Sequence, residues 1–260
     1  MKTNQKMPVI FTGHGSPMLA LDDDNITRTL KQVGQEVVRT YGKPKAILML
    51  SAHWFTRGTF VQRTKTPRQI YDMYGFPEAL YEVKYPAPGD EALADRVSEL
   101  LDDDVSVNND WGIDHGAWTV LVHLFPDADI PVVQLSIDGE AEPVDLYAMA
   151  EKLAPLRDEG VLILGSGNVV HNLRRVEWDN PGGSKQTEAF NADIIQAVVA
   201  RDDEAVIHWE SNLNADYAVP TPDHFLPLIM CLGAAQDETV KVFNDVCNLG
   251  AIAMTGFVLG

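Results

Sequence analysis

The sequence predicts an α/β protein whose central sheet is largely parallel and covered by helices on both faces. Short apolar runs of strand length lie at residues 9–12 and 46–51, and a helical pattern separates them. The same alternation of strands with longer helices continues to the end of the chain. Such alternation is typical of a parallel sheet, because parallel neighbours need a long crossover between them.

The opening of the chain reads strand, helix, strand. Within residues 26–41, apolar side chains recur at helical spacing, at Leu30, Val33 and Val37, and Gly42 closes the pattern. Further helices are predicted over residues 91–101, 117–124, 144–156 and 187–200, and another is predicted to begin near residue 224. Further strands are predicted over residues 130–135, 161–164, 239–243 and 252–258.

Length and composition favour one domain, since 260 residues with 45% hydrophobic side chains can bury one large core. The sequence has no internal repeat and no low-complexity linker, so residues 1–260 are expected to form a single catalytic α/β domain. No stretch approaches the roughly 18 apolar residues of a membrane span. No basic region followed by an apolar segment opens the chain, and we therefore expect a cytoplasmic protein.

Charge and motif content argue against several classes of protein. The formal net charge of -18 repels phosphate, so we expect neither nucleic acid nor a membrane surface as partner, and a small neutral or weakly charged substrate fits better. Cys231 and Cys247 have neither metal-binding nor disulfide spacing, and both are expected to be small buried apolar residues. The GxGxxG, GxxxxGK[ST] and GxSxG patterns are missing from the sequence, which disfavours nucleotide binding and serine hydrolysis.

Three histidines follow predicted strands. His14 and His53 come just after the first two strands, and His171 follows the strand at residues 161–164 through a glycine-containing turn. Because ligands of an open α/β sheet bind in the crevice outside the carboxyl ends of its strands, these imidazoles are expected to converge there. Imidazole is a common metal ligand, and a histidine cluster without cysteine predicts a metal site at the strand carboxyl ends.

Two further histidines are candidates for this site. His224 stands where a helix begins and is predicted to be a metal ligand. His115 lies in a turn with two glycines and two carboxylates, which is expected to present the imidazole for proton transfer rather than bury it. The neighbouring Asp114 has a structural interpretation as a helix cap. His123 and His208 are expected to be packing or surface residues.

Two segments are irregular in composition, residues 64–90 and 172–185, and long loops of this kind often form lids or pocket walls. In the first of them, Tyr71 and Tyr74 are predicted to bind substrate by presenting their rings to a planar ligand. The alternative is that these rings pack on the core.

Six motifs together resemble the class III extradiol ring-cleavage dioxygenases, in the branch of DOPA 4,5-dioxygenase-like proteins. They follow the order of that family and span nearly the whole chain. The motifs are Gly13-His14-Gly15-Ser16-Pro17, Ser51-Ala52-His53-Trp54, Tyr71-Asp72-Met73-Tyr74-Gly75-Phe76-Pro77, Asp114-His115-Gly116-Ala117-Trp118, Gly165-Ser166-Gly167-Asn168-Val169-Val170-His171-Asn172-Leu173 and Thr221-Pro222-Asp223-His224-Phe225-Leu226-Pro227.

The resemblance implies one metal ion per chain near His14, His53 and His224, with His171 as a further ligand or a nearby acid/base. It also implies that His115 lines the substrate pocket. In the wider superfamily the metal is ferrous iron, held by two histidines and one carboxylate. Here His224 stands at the matching third position in place of a glutamate, and an all-histidine shell suits zinc as well as iron(II).

The expected activity is metal-dependent extradiol cleavage of a catechol, a small aromatic diol resembling DOPA, with O₂ as second substrate. Iron(II) is the metal expected for this activity, because zinc has no redox chemistry, and zinc is the alternative bound ion. His115 and His171 are the predicted catalytic residues and would shuttle protons. Two other functions stay open: a zinc-dependent hydrolase and a non-enzymatic partner-binding protein. No oligomeric state is predicted.

Overall fold

The computed structural model describes residues 6–102, 104–236 and 238–260. Its strands are β1 (Val9–Gly13), β2 (Ala46–Thr56), β3 (Phe60–Val61), β4 (Ser106–Val107), β5 (Val132–Asp138), β6 (Val161–Gly167), β7 (Val240–Phe243), β8 (Cys247–Asn248), β9 (Ile252–Ala253) and β10 (Gly256–Leu259). Among the described residues, eight strands form one sheet in the spatial order β4-β3-β5-β2-β6-β1-β10-β7, and β8 pairs with β9.

The centre of the sheet is parallel. β5, β2, β6 and β1 are neighbours that all run in the same direction. Antiparallel pairs occur toward the edges, where β10 joins β1 and β7, and where β3 joins β5. The largely parallel sheet expected from the alternation of elements is thus confirmed.

Helices pack on both faces of this sheet. They are α1 (Asn25–Tyr41), α2 (Glu78–Glu82), α3 (Glu91–Leu100), α4 (His115–Leu124), α5 (Pro143–Glu151), α6 (Pro155–Asp158), α7 (Lys185–Ala200), α8 (Asp203–Ile207), α9 (Ala215–Ala218) and α10 (Leu226–Ala235). Within β1, Ile10 packs in one apolar core with residues of α1 and α4, whereas Val9 and Phe11 pack in the other with α10. Alternate side chains therefore enter opposite cores, as expected of strands buried on both faces.

Several boundaries differ from those predicted. The single helix expected over residues 144–156 is broken into α5 and α6, because Pro155 cannot donate a backbone hydrogen bond and instead starts the second helix. Helix α4 begins at His115 rather than at residue 117, and the Asp114 carboxylate caps it by accepting from the backbone N–H of Ala117. Cys231 is buried, but Cys247 is only half-buried.

The strands that lead to the histidines are longer than expected. β2 runs on to Thr56, so His53 lies within this strand and not beyond its end, in a stretch where the pairing with β5 is irregular. β6 continues to Gly167, and the run at residues 252–258 is divided between β9 and β10. In the described part of the chain, we find no helix with the length and apolar character needed to cross a membrane.

Candidate metal centre

Five of the seven histidines come together at the carboxyl ends of the central strands. These are His14, His53, His115, His171 and His224. The other two lie elsewhere, as expected: the Nε2 of His123 is 2.7 Å from the carbonyl oxygen of Leu19, and His208 is exposed. The convergence predicted from the strand ends therefore exists, and it includes both histidines proposed on other grounds.

His14 follows β1 directly, and its surroundings set which ring nitrogen carries the proton. The hydroxyl of Ser166 donates its only proton to the carbonyl oxygen of Gly116 over 2.6 Å. Because that proton is used, His14 Nδ1 must donate to Ser166 Oγ, 2.9 Å away. The Nε2 of His14 is then left unprotonated, with its lone pair directed away from Ser166.

His53 presents the same nitrogen toward His14. Its Nδ1 lies 3.5 Å from Asp72 Oδ2, and the negative charge of that carboxylate favours a proton on Nδ1. The Nε2 atoms of His53 and His14 are 3.1 Å apart. Two unprotonated nitrogens this close repel each other unless a cation lies between their lone pairs.

This arrangement fits a divalent metal ion. Two histidine ligands of a tetrahedral zinc site, with bonds of about 2.0–2.1 Å, have nitrogens roughly 3.3 Å apart, close to the separation found here. The donor set of neutral imidazoles suits zinc and iron(II) alike. Within the described residues, His14, His53 and His115 offer nitrogen atoms that all lie within 4.8 Å of one another.

His224 joins the cluster from the segment that precedes α10. It ends the short 3-10 helix Pro222–His224, and its Nδ1 donates to the carboxylate of Asp223. Its ring centroid lies 5.1 Å from the centroids of both His14 and His53. With Nδ1 engaged by Asp223, Nε2 is the nitrogen that His224 can offer to a metal.

His115 is the first residue of α4, and it is buried, contrary to the exposed turn expected from its flanking glycines. Its backbone N–H donates to Asp72 Oδ1 over 2.9 Å, and its Nδ1 lies 3.0 Å from Asp72 Oδ2. The His115 ring is 3.8 Å from that of His53 but 5.9 Å from that of His14. Asp72 therefore holds two imidazoles of the cluster at once.

His171 lies against His224 with the two rings parallel. Their centroids are 3.5 Å apart and their planes differ by 6°. A metal bound through a nitrogen lone pair lies in the plane of the imidazole, and one ion cannot lie in two parallel planes separated by the thickness of a ring. This geometry supports His224 or His171 as ligand of a given ion, but not both.

Burial favours the neutral form of three of these imidazoles. It lowers the pKa of His14 and of His53 well below the ordinary histidine value, and the neighbouring imidazoles lower both further. The pKa of His171 falls to about 3, through burial and then through His224. Burial raises the pKa of Asp72, but its hydrogen bonds with His115 and the charge of that ring lower it by more. Neutral imidazoles beside a carboxylate anion are the forms that bind a cation.

A cavity of about 620 Å³ opens above the histidines. All five imidazoles line it, and so do Tyr74 and Trp178, which are 92% and 81% exposed.

Tyr71 is not among the residues that line this cavity. The Tyr71 hydroxyl donates to the carbonyl oxygen of Val83, and the ring packs against Trp118. These contacts support the packing alternative for Tyr71. Tyr74 keeps its place beside the cavity.

Comparison with known proteins identifies the family. Residues 8–260 match the family described as the catalytic LigB subunit of aromatic ring-opening dioxygenase. The chain belongs to this family. A relative from Escherichia coli (strain K12), named 4,5-DOPA dioxygenase extradiol, is 41% identical over 267 residues, covering 99% of this chain and 96% of that protein. A relative of the same name from Beta vulgaris is 39% identical over 234 residues, covering 88% of this chain and 87% of that protein.

The fold agrees with this assignment. A crystal structure of an uncharacterized protein from Escherichia coli K12 superposes with a TM-score of 0.83 at 38% identity, and the match covers 98% of this chain and 100% of that one. The chain is thus an extradiol dioxygenase of the LigB family, a metal-dependent oxidoreductase whose substrates are an aromatic compound and O₂. The extradiol function expected from the sequence is confirmed, and the hydrolase and partner-binding alternatives are not retained.

Three polar residues that orient the histidines were not singled out from the sequence: Asp72, Ser166 and Asp223. Each stands inside one of the motifs quoted above, and two of them are one residue from an aromatic ring or histidine that was singled out. Metal-binding histidines commonly donate their second N–H to a carboxylate or another oxygen acceptor. A carboxylate adjacent in sequence to a candidate residue is therefore the signal that could identify Asp72 and Asp223.

Proposed function

We propose that this dioxygenase opens the ring of a DOPA-like catechol, acting as a single catalytic domain over residues 1–260. The C–C bond beside the diol breaks, and both atoms of O₂ enter the product, a semialdehyde acid. Cytoplasmic location stays a prediction from the sequence alone.

One observation carries the proposal. The unprotonated Nε2 atoms of His14 and His53 face each other across 3.1 Å at the base of a largely apolar cavity. Such a pair needs a cation, and a cavity of this kind takes an aromatic ring. We assign His14, His53 and His224 as the residues that would hold one divalent metal. The His224 ring centroid lies 5.1 Å from those of both His14 and His53, whereas the His115 centroid lies 5.9 Å from that of His14.

Iron(II) is the proposed metal, since ring opening with O₂ requires the redox capacity and the acidification of bound hydroxyls that iron would supply when bound. Zinc would fill the same imidazole shell without supporting electron transfer. The identity of the ion therefore decides between an active and an inactive form of the same protein.

His115 and His171 are assigned to proton transfer. Both line the cavity, and neither is needed to complete the three-histidine set. A neutral imidazole can accept a proton from a catechol hydroxyl and return it to the product. Asp72, which contacts His115 through two atoms, holds that ring in place and stabilises it when it is protonated.

The test is anaerobic reconstitution of metal-free protein with iron(II), followed by addition of catechols in air-saturated buffer. We expect O₂ consumption and a yellow semialdehyde product in equal amounts. Zinc-loaded protein is the matched control and should consume no O₂. Full iron occupancy without O₂ uptake for any catechol would contradict the proposal.

A further inference from the structure

We infer that the cavity selects catechols whose side chain carries a cationic amine over those whose side chain carries a carboxylate, and that Asp22 sets this preference. The inference rests on the proposed function, because it concerns the part of the substrate that lies beyond the ring being opened. It assigns a specificity role to a residue outside the histidine cluster.

The cavity is large enough for a substituted ring. Its volume of about 620 Å³ lies within the range of roughly 300–1,000 Å³ typical of sites for drug-sized ligands. The histidines form one part of the lining, and Asp22 and Asp24 belong to another. These two aspartates lie in the short connection between the 3-10 helix Pro17–Leu21 and α1. A substituent on a ring bound at the histidines therefore has space to extend along this wall.

The charges along this lining have one sign. Among the described lining residues, Asp22 and Asp24 are the carboxylates, and the basic side chains are the histidines. Neither lysine nor arginine lines the cavity in this part of the chain. Arg174 and Arg175 stand between two lining residues in sequence, but both are exposed and do not line the cavity. A substrate carboxylate beside this part of the lining would meet two aspartates and neither lysine nor arginine.

Of the three consecutive aspartates, Asp22 is the one whose carboxylate is unengaged. Asp24 caps α1 by accepting from the backbone N–H of Thr27 over 2.9 Å. Asp23 pairs with Arg28 at 3.3 Å. Across the described residues, no hydrogen bond or ion pair engages the Asp22 side chain.

Among the described residues, no cation forms an ion pair with Asp22. Partial burial raises the pKa of Asp22, and the negative charge of Asp24 raises it further. His123 lowers the pKa of Asp22, but burial lowers the pKa of His123 itself, and its Nε2 contacts the carbonyl oxygen of Leu19. Arg28 and Lys31 pair with Asp23 instead. A substrate ammonium group would supply the missing positive charge and offset the repulsion between the two aspartates.

The experiment measures binding without turnover, using the zinc-loaded protein and calorimetry. We compare three catechols that differ only in the substituent para to one hydroxyl, which is an aminoethyl, an ethyl or a carboxyethyl group. Since Asp22 is largely exposed and its interactions are screened, we expect the aminoethyl compound to bind about 5- to 20-fold more tightly than the carboxyethyl compound at low salt. Added salt should shrink that ratio.

Variants assign the preference to a residue. Asp22→Asn should reduce the amine-to-carboxylate ratio by about 2- to 5-fold. Asp23→Asn removes the same charge one position away, outside the cavity lining, and should leave the ratio unchanged. Equal or inverted affinities in the unmodified protein, or equal effects of the two variants, would overturn the inference.

The outcome is separable from that of the proposed function. If the iron-loaded enzyme cleaves all three catechols while the zinc-loaded protein shows no charge preference, ring cleavage stands and the role of Asp22 fails. If binding shows the preference but the iron-loaded enzyme consumes no O₂, the charge selection stands and the proposed reaction fails.

Discussion

The imidazole of His171 lies flat on that of His224, with ring centroids 3.5 Å apart. Since one ion cannot lie in both ring planes, we expect His171→Ala to keep its metal while losing turnover by roughly 10²- to 10⁴-fold, the usual loss for a general acid/base. Metal content by atomic emission and O₂ uptake are measured on the same preparation. Loss of metal together with turnover would instead make His171 a ligand.

His115 is the second proton-transfer candidate. His115→Gln keeps a polar group of similar reach but cannot titrate, so turnover should fall by roughly 10²- to 10⁴-fold while iron content stays near that of the unmodified protein. His123→Gln is a matched control, because His123 packs against Leu19 outside the cluster. If iron is lost in His115→Gln, His115 is a ligand, as its distance from His14 and His53 would allow.

Ser166 controls which nitrogen of His14 is free. Ser166→Ala removes the acceptor for His14 Nδ1, so the proton can move to Nε2 and compete with the metal. We expect metal affinity to fall by about 10- to 100-fold, as when other partners of metal-binding histidines are removed. Ser136→Ala, in the buried strand β5, serves as control and should leave affinity unchanged. Competition with a metal chelator measures both.

Gly116 makes room for His53. A methyl group at this position would lie 2.7 Å from Cδ2 of His53 and 2.7 Å from Ser51 Oγ, closer than these atoms can approach. Gly116→Ala should therefore displace His53 and lower metal affinity, with a loss of stability of about 1–3 kcal/mol from overpacking. Gly182→Ala, whose added methyl meets only ordinary contacts, is the control. Unchanged metal affinity in Gly116→Ala would contradict this account.

Tyr74 and Tyr71 should behave differently despite their proximity. Tyr74 lines the cavity, and its removal in Tyr74→Ala should raise KM by about 2- to 10-fold, the value of one aromatic contact. Tyr71→Ala removes packing against Trp118 and a hydrogen bond to Val83, so its main effect should be a lower Tm. Steady-state kinetics and thermal denaturation separate the two. A larger KM change in Tyr71→Ala than in Tyr74→Ala would reverse the assignment.

The sheet and much of the cluster could be predicted because both depend on local patterns. Apolar runs in the sequence indicate β1, β2 and β6. Because the carboxyl ends of parallel strands meet at one edge of a sheet, His14, His53 and His171 are predicted to lie together. The position of His53 within β2 could not be predicted, because that strand extends through polar residues beyond its apolar run. In the structure, the pairing of β2 with β5 is irregular between Leu50 and Phe55, the stretch that contains His53.

The partners of the histidines depend on contacts between distant segments. Asp72 reaches His53 and His115 from an irregular loop, where no periodicity indicates the direction of a side chain. The same lack of periodicity made Tyr71 and Tyr74 indistinguishable in the sequence, although one packs inward and the other borders the cavity. Asp22 carries no distinguishing signal in the sequence, because three adjacent aspartates resemble a solvated surface run.

The nitrogen atoms of the metal centre come from segments that are made at very different times. His14 follows β1, whose place in the sheet also depends on β10, whereas His224 precedes α10. With His224 as the proposed third donor, a growing chain on the ribosome has no complete set of donors before residue 224 is synthesised. We therefore expect metal capture to follow folding. A chain that ends before residue 224 would lack one of the three imidazoles proposed to hold the ion.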